Sequence, residues 1–144
     1  MRYSVLMSVY KKENPDFITS AINSILDQTV KTDDFLIVWD GELSSELELV
    51  LEDYQSKYPD IIRFLKIEMN VGLGEALRRG VPECRNSLIA RMDSDDIAVP
   101  ERIEWQLEAF RNNPDLMLCG GQIEEFSTDP GRPENKRVVP CGYE

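Results

Sequence analysis

Short apolar runs and helical stripes alternate along this chain from its first residues. Ser4-Val5-Leu6-Met7-Ser8-Val9 is almost continuously apolar, the pattern of a strand buried on both faces of a parallel sheet. Asn14-Pro15 supplies an N-cap and a first-turn proline. Ile18, Ala21, Ile22, Ile25 and Leu26 then recur at helical spacing, predicting an amphipathic helix that ends near Gln28-Thr29. Phe35 to Trp39 reads as a second strand, closed by the turn-forming pair Asp40-Gly41. Ser45 and Glu48 fit a capping box, and Leu47, Val50, Leu51 and Tyr54 form the next helical stripe. Ile61 to Ile67 predicts a third strand, Asn70 to Gly74 a loop, and Ala76-Leu77 a short helix disturbed near Gly80 and Pro82. Ser87 to Met92 predicts a fourth strand that runs straight into Asp93-Ser94-Asp95-Asp96. Pro100 opens a further helix with Ile103, Leu107 and Phe110 on one face, Pro114 stops it, and Leu116 to Gly121 reads as a fifth strand.

This alternation implies an α/β fold: an open, mostly parallel sheet with helices on both faces. The 144 residues suit one domain, assigned to residues 1–126. From Ser127 to Glu144 prolines and glycines replace periodicity, which predicts a loop or tail over residues 127–144.

Composition narrows the chemistry. There is no histidine, which removes Ser-His-Asp and Cys-His catalysis and histidine metal sites. Acid–base work would fall to carboxylates, lysines or tyrosines. Cys84, Cys119 and Cys141 are widely spaced and odd in number, so they read as reduced packing thiols rather than as a disulfide or zinc framework. The net charge of −11 repels nucleic acid and otherwise fits solubility or cation binding. No apolar run reaches the roughly 20 residues that span a bilayer. Met1 to Leu6 is too short and mixed for a signal peptide. A cytoplasmic location is therefore expected, with peripheral association at the inner membrane face left open.

Ligands of an open parallel sheet bind beyond the carboxyl ends of its strands. Those ends carry Ser8 and Tyr10, Asp40, Glu68 and Asn70, and the acidic cluster. Two like charges 4 Å apart repel by roughly 4 kcal/mol at the effective dielectric of a protein site. A hard divalent cation, magnesium or manganese, would relieve that repulsion. Asp93 and Asp95, two residues apart, would point the same way in an extended segment. Read by itself, the cluster also fits a solvated turn capping the next helix. Tyr10 also fits packing, Asp40 a plain turn, and Asn70 a loop cap. No glycine-rich phosphate loop follows the first strand, so cation rather than backbone would neutralise a diphosphate.

Several segments together resemble family 2 glycosyltransferases: Val5 to Tyr10, Ile22 to Thr29, Ile37 to Gly41, Asn70 to Gly74, and Met92 to Asp96 with Pro100 and Arg102. The ordered set covers roughly residues 3–126, and its flavour is similar to bacterial transferases of exopolysaccharide, capsule or lipopolysaccharide synthesis. The resemblance implies a GT-A fold, Rossmann-like, and an inverting transfer from a nucleotide-diphospho-sugar, with a UDP-sugar expected, to a carbohydrate or lipid-linked saccharide acceptor. Carried over, Ser8 and Tyr10 would lie against the nucleoside, Glu13 near the ribose, and Asp40 against the base. Asn70 would belong to the nucleotide site. Asp93 would face ribose and metal, and Asp95 would hold the metal. The chain departs from the family in having a single Asp40 after Trp39, and Leu77-Arg78 where Arg-Asn is frequent. It also stops at Tyr143-Glu144, before the half that supplies acceptor site and general base. The expectation is a truncated fold that binds donor and metal, transfers poorly, and self-associates through uncovered apolar surface. It has no assigned catalytic residue. The alternative is a non-catalytic α/β module that binds nucleotide and metal. Receiver-like and nucleotidyltransferase readings fit less well, lacking an acidic pair or glycines after the first strand.

Overall fold

The computed structural model describes residues 1–139. β1 (Ser4–Val9), β2 (Asp34–Asp40), β3 (Ile62–Ile67) and β4 (Ile89–Arg91) form one parallel sheet in the order β3-β2-β1-β4. Between them run α1 (Pro15–Leu26), α2 (Ser45–Lys57) and α3 (Leu73–Gly80), the last followed by a 3-10 turn at Val81–Glu83. α4 (Arg102–Asn112) follows β4. A separate antiparallel pair, β5 (Ile123–Glu125) and β6 (Asn135–Arg137), comes after it.

β2 is buried along its whole length because both faces of the sheet are covered. On one face Val5, Met7, Val9, Phe35 and Ile37 pack against Ile18, Ile22 and Ile25 of α1, Leu47 and Leu51 of α2, and Ile103 and Leu107 of α4. On the other, Leu6, Leu36, Val38 and Ile67 pack against Ala76 of α3. Gly80 lets α3 lie this close: a Cβ there would come within 2.6 Å of Leu6 Cδ1. The chain grows outward from β1 through β2 to β3, then returns to the far side of β1 as β4. The strand order thus reverses between β1 and β4, where ligands of such sheets bind.

Asn14 caps α1 as its sequence predicts, accepting from Asp16 N at 2.8 Å. Other expectations need correction. The N-cap of α2 is Ser44, whose hydroxyl accepts from Leu47 N; Ser45 is the first helical residue, so there is no capping box with Glu48. α4 begins at Arg102, after a turn in which Arg102 N bonds Val99 O, so Pro100 precedes the helix rather than opening it. The predicted fifth strand at Leu116 to Gly121 does not form. That stretch has no ladder partner among the described residues, and Met117 and Leu118 are 92% and 77% exposed. An apolar run becomes a strand only where another strand takes up its backbone groups, and periodicity cannot report that partner. β5 starts at Ile123 instead and pairs with β6, which lies within the stretch expected as loop from Ser127 onward. The end of that stretch, with Cys141, lies outside the described residues. Cys84 is half-buried, and burial pushes its thiol up to about 11, which fits a packing role.

Candidate functional site

A cleft of about 380 Å³ opens at the carboxyl ends of β1, β2 and β4. It is lined by Ser8, Tyr10, Glu13, Asp40, Asn70, Gly72, Leu73, Asp93, Ser94 and Asp95. Every residue the sequence assigned to nucleotide or metal therefore borders one cavity. Tyr10 is 41% exposed, so its ring presents a face to solvent beside the cleft rather than packing inside the core.

Asp40 is buried, and its carboxylate organises the opposite wall. Oδ1 accepts from Val71 N at 2.7 Å, and Oδ2 accepts from Gly72 N and Asn70 Nδ2, both at 3.0 Å. The Asn70 amide also donates to the Asp40 carbonyl at 3.1 Å. Gly41 permits the contact: it holds φ +87°, and a Cβ there would meet Asn70 N at 2.7 Å. Asp40 and Asn70 thus form a wall shared with a second hollow, about 470 Å³, lined by Lys11, Glu42, Leu43, Ser44, Glu68 and Met69.

The acidic segment is a turn, not an extended run. Asp96 N bonds Asp93 O across it at 3.4 Å, and Ser94 is buried at its centre. Asp93 and Asp95 still both border the cleft, through the turn rather than through strand alternation. The segment is anchored on both flanks. Upstream, β4 pairs with β1 and Met92 N bonds Leu6 O at 3.0 Å. Downstream, the end of α1 clamps the chain before α4. Ser24 Oγ accepts from Ala98 N, and Thr29 N donates to Pro100 O. The fully buried Gln28 donates to Val99 O and accepts from Ile103 N at 3.0 Å. Gln28, two residues past the end of α1, so caps α4, whose own N-cap residue makes no side-chain cap bond. From beneath, Arg102 donates to Arg91 O at 2.8 Å and approaches Met92 Sδ.

The electrostatics are strained. Burial raises the pKa of Glu13, and the charges of Asp95 and Asp93 add to this against a hydrogen bond with Ser94. Burial also raises Asp96, with the same two aspartates contributing and Arg102 and Arg91 opposing. Ser94, Asp96, Arg91 and Gln28 were not singled out from the sequence. Ser94 and Asp96 sat inside the acidic motif, but only folding turns Ser94 inward and Asp96 toward Arg102. Among the described residues no group of three or more acids or cysteines is arranged to hold an ion. The donor set nevertheless fits a magnesium or manganese ion, which takes one or two carboxylates and fills its sphere with phosphate oxygens and water. No helix among the described residues is long and apolar enough to cross a membrane.

Residues 4–142 match the sequence profile of glycosyl transferase family 2. The chain belongs to this family. An amylovoran biosynthesis glycosyltransferase, AmsE of Erwinia amylovora, is 36% identical over 94% of the chain and 50% of its own length. An Escherichia coli UDP-Gal:alpha-D-GlcNAc-diphosphoundecaprenol beta-1,3-galactosyltransferase is 38% identical over 90% of the chain and 46% of its own length. The chain spans about half the length of the curated relatives it matches. Among solved structures, S. aureus TarS in complex with UDP superposes with a TM-score of 0.68 at 22% identity, over 79% of the chain and 33% of its own. The Pyrobaculum calidifontis mannosyltransferase PcManGT, in complex with GDP-Man and Mn2+, gives 0.61 at 16% identity over 70% of the chain and 29% of its own. These likenesses establish the GT-A fold.

Proposed function

We propose that the cleft binds a nucleotide-diphospho-sugar, a UDP-sugar, together with a magnesium or manganese ion. The whole protein would transfer the sugar, with inversion, to a carbohydrate or lipid-linked acceptor in surface polysaccharide synthesis at the cytoplasmic membrane face. The observation that carries this reading is the convergence of Ser8, Tyr10, Glu13, Asp40, Asn70, Asp93 and Asp95 on one cleft at the reversal point of a parallel sheet. Names of relatives support the substrate class: one acts on a diphosphoundecaprenol-linked sugar and another in amylovoran biosynthesis.

Within the cleft, Tyr10 offers its exposed ring to the base, and Ser8 lines the nucleoside side. Asp40 already holds the Asn70–Gly72 loop. Its Oδ1 carries one protein hydrogen bond, leaving acceptor capacity for a base N–H. Glu13 lies toward the ribose hydroxyls. Asp93 and Asp95 would hold the cation beside the diphosphate, where it supplies a Lewis acid for the leaving group. The turn set by Ser94 and the α1 clamp keeps both carboxylates on the cleft without ligand. Less reorganisation is then needed on binding.

Calorimetric titration of UDP, with manganese and with chelator, tests the reading. The expected result is manganese-dependent binding that Asp95→Ala abolishes while leaving the fold intact by circular dichroism. Failure of UDP, GDP and dTDP to bind under any condition would remove the donor-site assignment.

A further inference from the structure

Arg91, the last residue of β4, forks onto one of the two carboxylates assigned to the cation. Its Nη2 donates to Asp93 Oδ1 at 2.7 Å and to Oδ2 at 3.0 Å, and its Nε donates to Oδ1 at 3.1 Å. Both Asp93 oxygens are thus covered by guanidinium. The other arginines nearby are committed elsewhere. Arg102 holds the Arg91 carbonyl from below, and Arg78 and Arg79 on α3 are taken up by Glu75. Arg91 and Asp93 are 55% and 39% exposed as side chains, so their pair is screened by solvent and easily given up. Asp93 lines the cleft, so the guanidinium forked onto its carboxylate stands beside that cavity.

We propose that Arg91 is a diphosphate-binding residue held in reserve by Asp93. In the ligand-free chain it neutralises Asp93. When Asp93 turns to a divalent cation, Arg91 is released beside the cleft, within reach of Asp93, and its fork takes phosphate oxygens of the nucleoside diphosphate. This rests on the donor-site reading above. The charge balance requires such a group. A divalent ion offsets Asp93 and Asp95, and the arriving diphosphate then restores negative charge beside Glu13 and Asp96. A planar guanidinium matches phosphate oxygens in pairs, as it already matches the Asp93 carboxylate. The exchange also couples the ligands: cation binding displaces Arg91, and the diphosphate gains what was displaced.

The test is calorimetry on wild type, Arg91→Gln and Arg91→Lys, using manganese alone, UDP at saturating manganese, and uridine. Arg91→Gln should bind manganese roughly two- to fivefold more tightly, the size of an exposed ion pair removed. It should bind UDP about tenfold more weakly, the size of a lost charged hydrogen bond. Uridine binding should not change. Arg91→Lys, which keeps the charge without the fork, should recover only part of the UDP affinity. Parallel weakening of UDP and uridine would mark a merely structural residue and overturn the proposal. So would unchanged or weaker manganese binding in Arg91→Gln, or full UDP recovery in Arg91→Lys. If wild type binds UDP without manganese dependence, the exchange is wrong while the nucleotide site stands. If wild type binds neither ligand, the donor-site reading falls and takes this inference with it.

Discussion

The two ends of the parallel sheet both carry acidic residues, in opposite circumstances. At the amino end of β2, the fully buried Asp34 is surrounded by donors. Ser4 Oγ donates to it at 2.6 Å, Arg85 N at 2.8 Å and Arg63 Nε at 2.8 Å. Burial alone would raise its pKa, but the Arg85 amide, the Ser4 hydroxyl and Arg63 outweigh burial and hold it below the usual range. Ser4 passes the network on, accepting from Asn86 N at 3.0 Å. One carboxylate so ties β1, β2, β3 and the approach to β4 together. At the carboxyl end, Arg91 is forked onto Asp93, while burial and then the charges of Asp93 and Asp95 raise Glu13 and Asp96. The satisfied end is a clasp and the unsatisfied end is a receptacle. Like charges held near one another cost stability, and one reason to retain them is that a cation relieves the repulsion.

The contrast breaks first at Asp34. Asp34→Ala should cost about 3 kcal/mol in urea unfolding, because it leaves Arg63, Ser4 and the Arg85 amide without their acceptor. Asp95→Ala in metal-free buffer should be neutral or slightly stabilising. Equal losses at both ends would dissolve the distinction. Gln28→Ala tests the link between clamp and cleft. It should cost about 2 kcal/mol, since the α4 amide at Ile103 and the Val99 carbonyl lose a buried partner. UDP affinity should fall with it, because the acidic turn loses its downstream anchor.

The smallest effect is in pH. Glu13 and Asp96 have raised folded pKa values, so their contribution is most favourable below the unfolded values, 4.5 and 3.8, and is lost as pH rises through the folded ones. Asp34 is lowered, so its contribution is full above 3.8 and is lost as pH falls through its folded value. Metal-free Tm should therefore rise modestly as pH falls from neutrality through the folded values of Glu13 and Asp96, then fall below 3.8 as Asp34 takes up its proton. Glu13→Gln should raise Tm at pH 7, by about 0.5 kcal/mol of stability, and flatten the first limb. Manganese at pH 7 should do likewise in wild type. A profile unchanged by both would mean the cleft carboxylates do not repel enough to matter.

The elements that were legible in the sequence are those whose pattern is local. The apolar runs of β1 and β2, the α1 stripe with its Asn14 cap, and the acidic cluster at a strand end all lie within a few residues of chain. Hydrophobic spacing, cap chemistry and the carboxyl-end rule therefore reached the sheet and the strand-end residues Ser8, Tyr10, Asp40, Asn70, Asp93 and Asp95, while Glu13 came only with the family resemblance. Ser44 against Ser45 was missed because both are good caps, and only backbone geometry chooses between them. Gln28, Asp34 and Arg91 were missed for another reason. Gln28 stands at the end of the predicted helix, Asp34 one residue before the predicted second strand, and Arg91 inside the predicted fourth strand, and nothing local marks any of them. Their partners lie as far as 75 residues away, or depend on a turn that no spacing announces.

By itself, then, the sequence determined which segments are strands and helices around β1 and β2, and which polar residues stand at the strand ends, because periodicity and caps act over one or two turns. Tertiary structure alone decided the rest. It made Leu116 to Gly121 a largely exposed segment rather than a strand, because no strand among the described residues takes up its backbone. It turned Asp93 to Asp96 back on itself, because α1 grips the chain beyond it. And it gave Asp34 a full set of donors while it left Glu13 and Asp96 near the charges of Asp93 and Asp95, because whether a carboxylate is satisfied depends on what the fold brings to it from elsewhere.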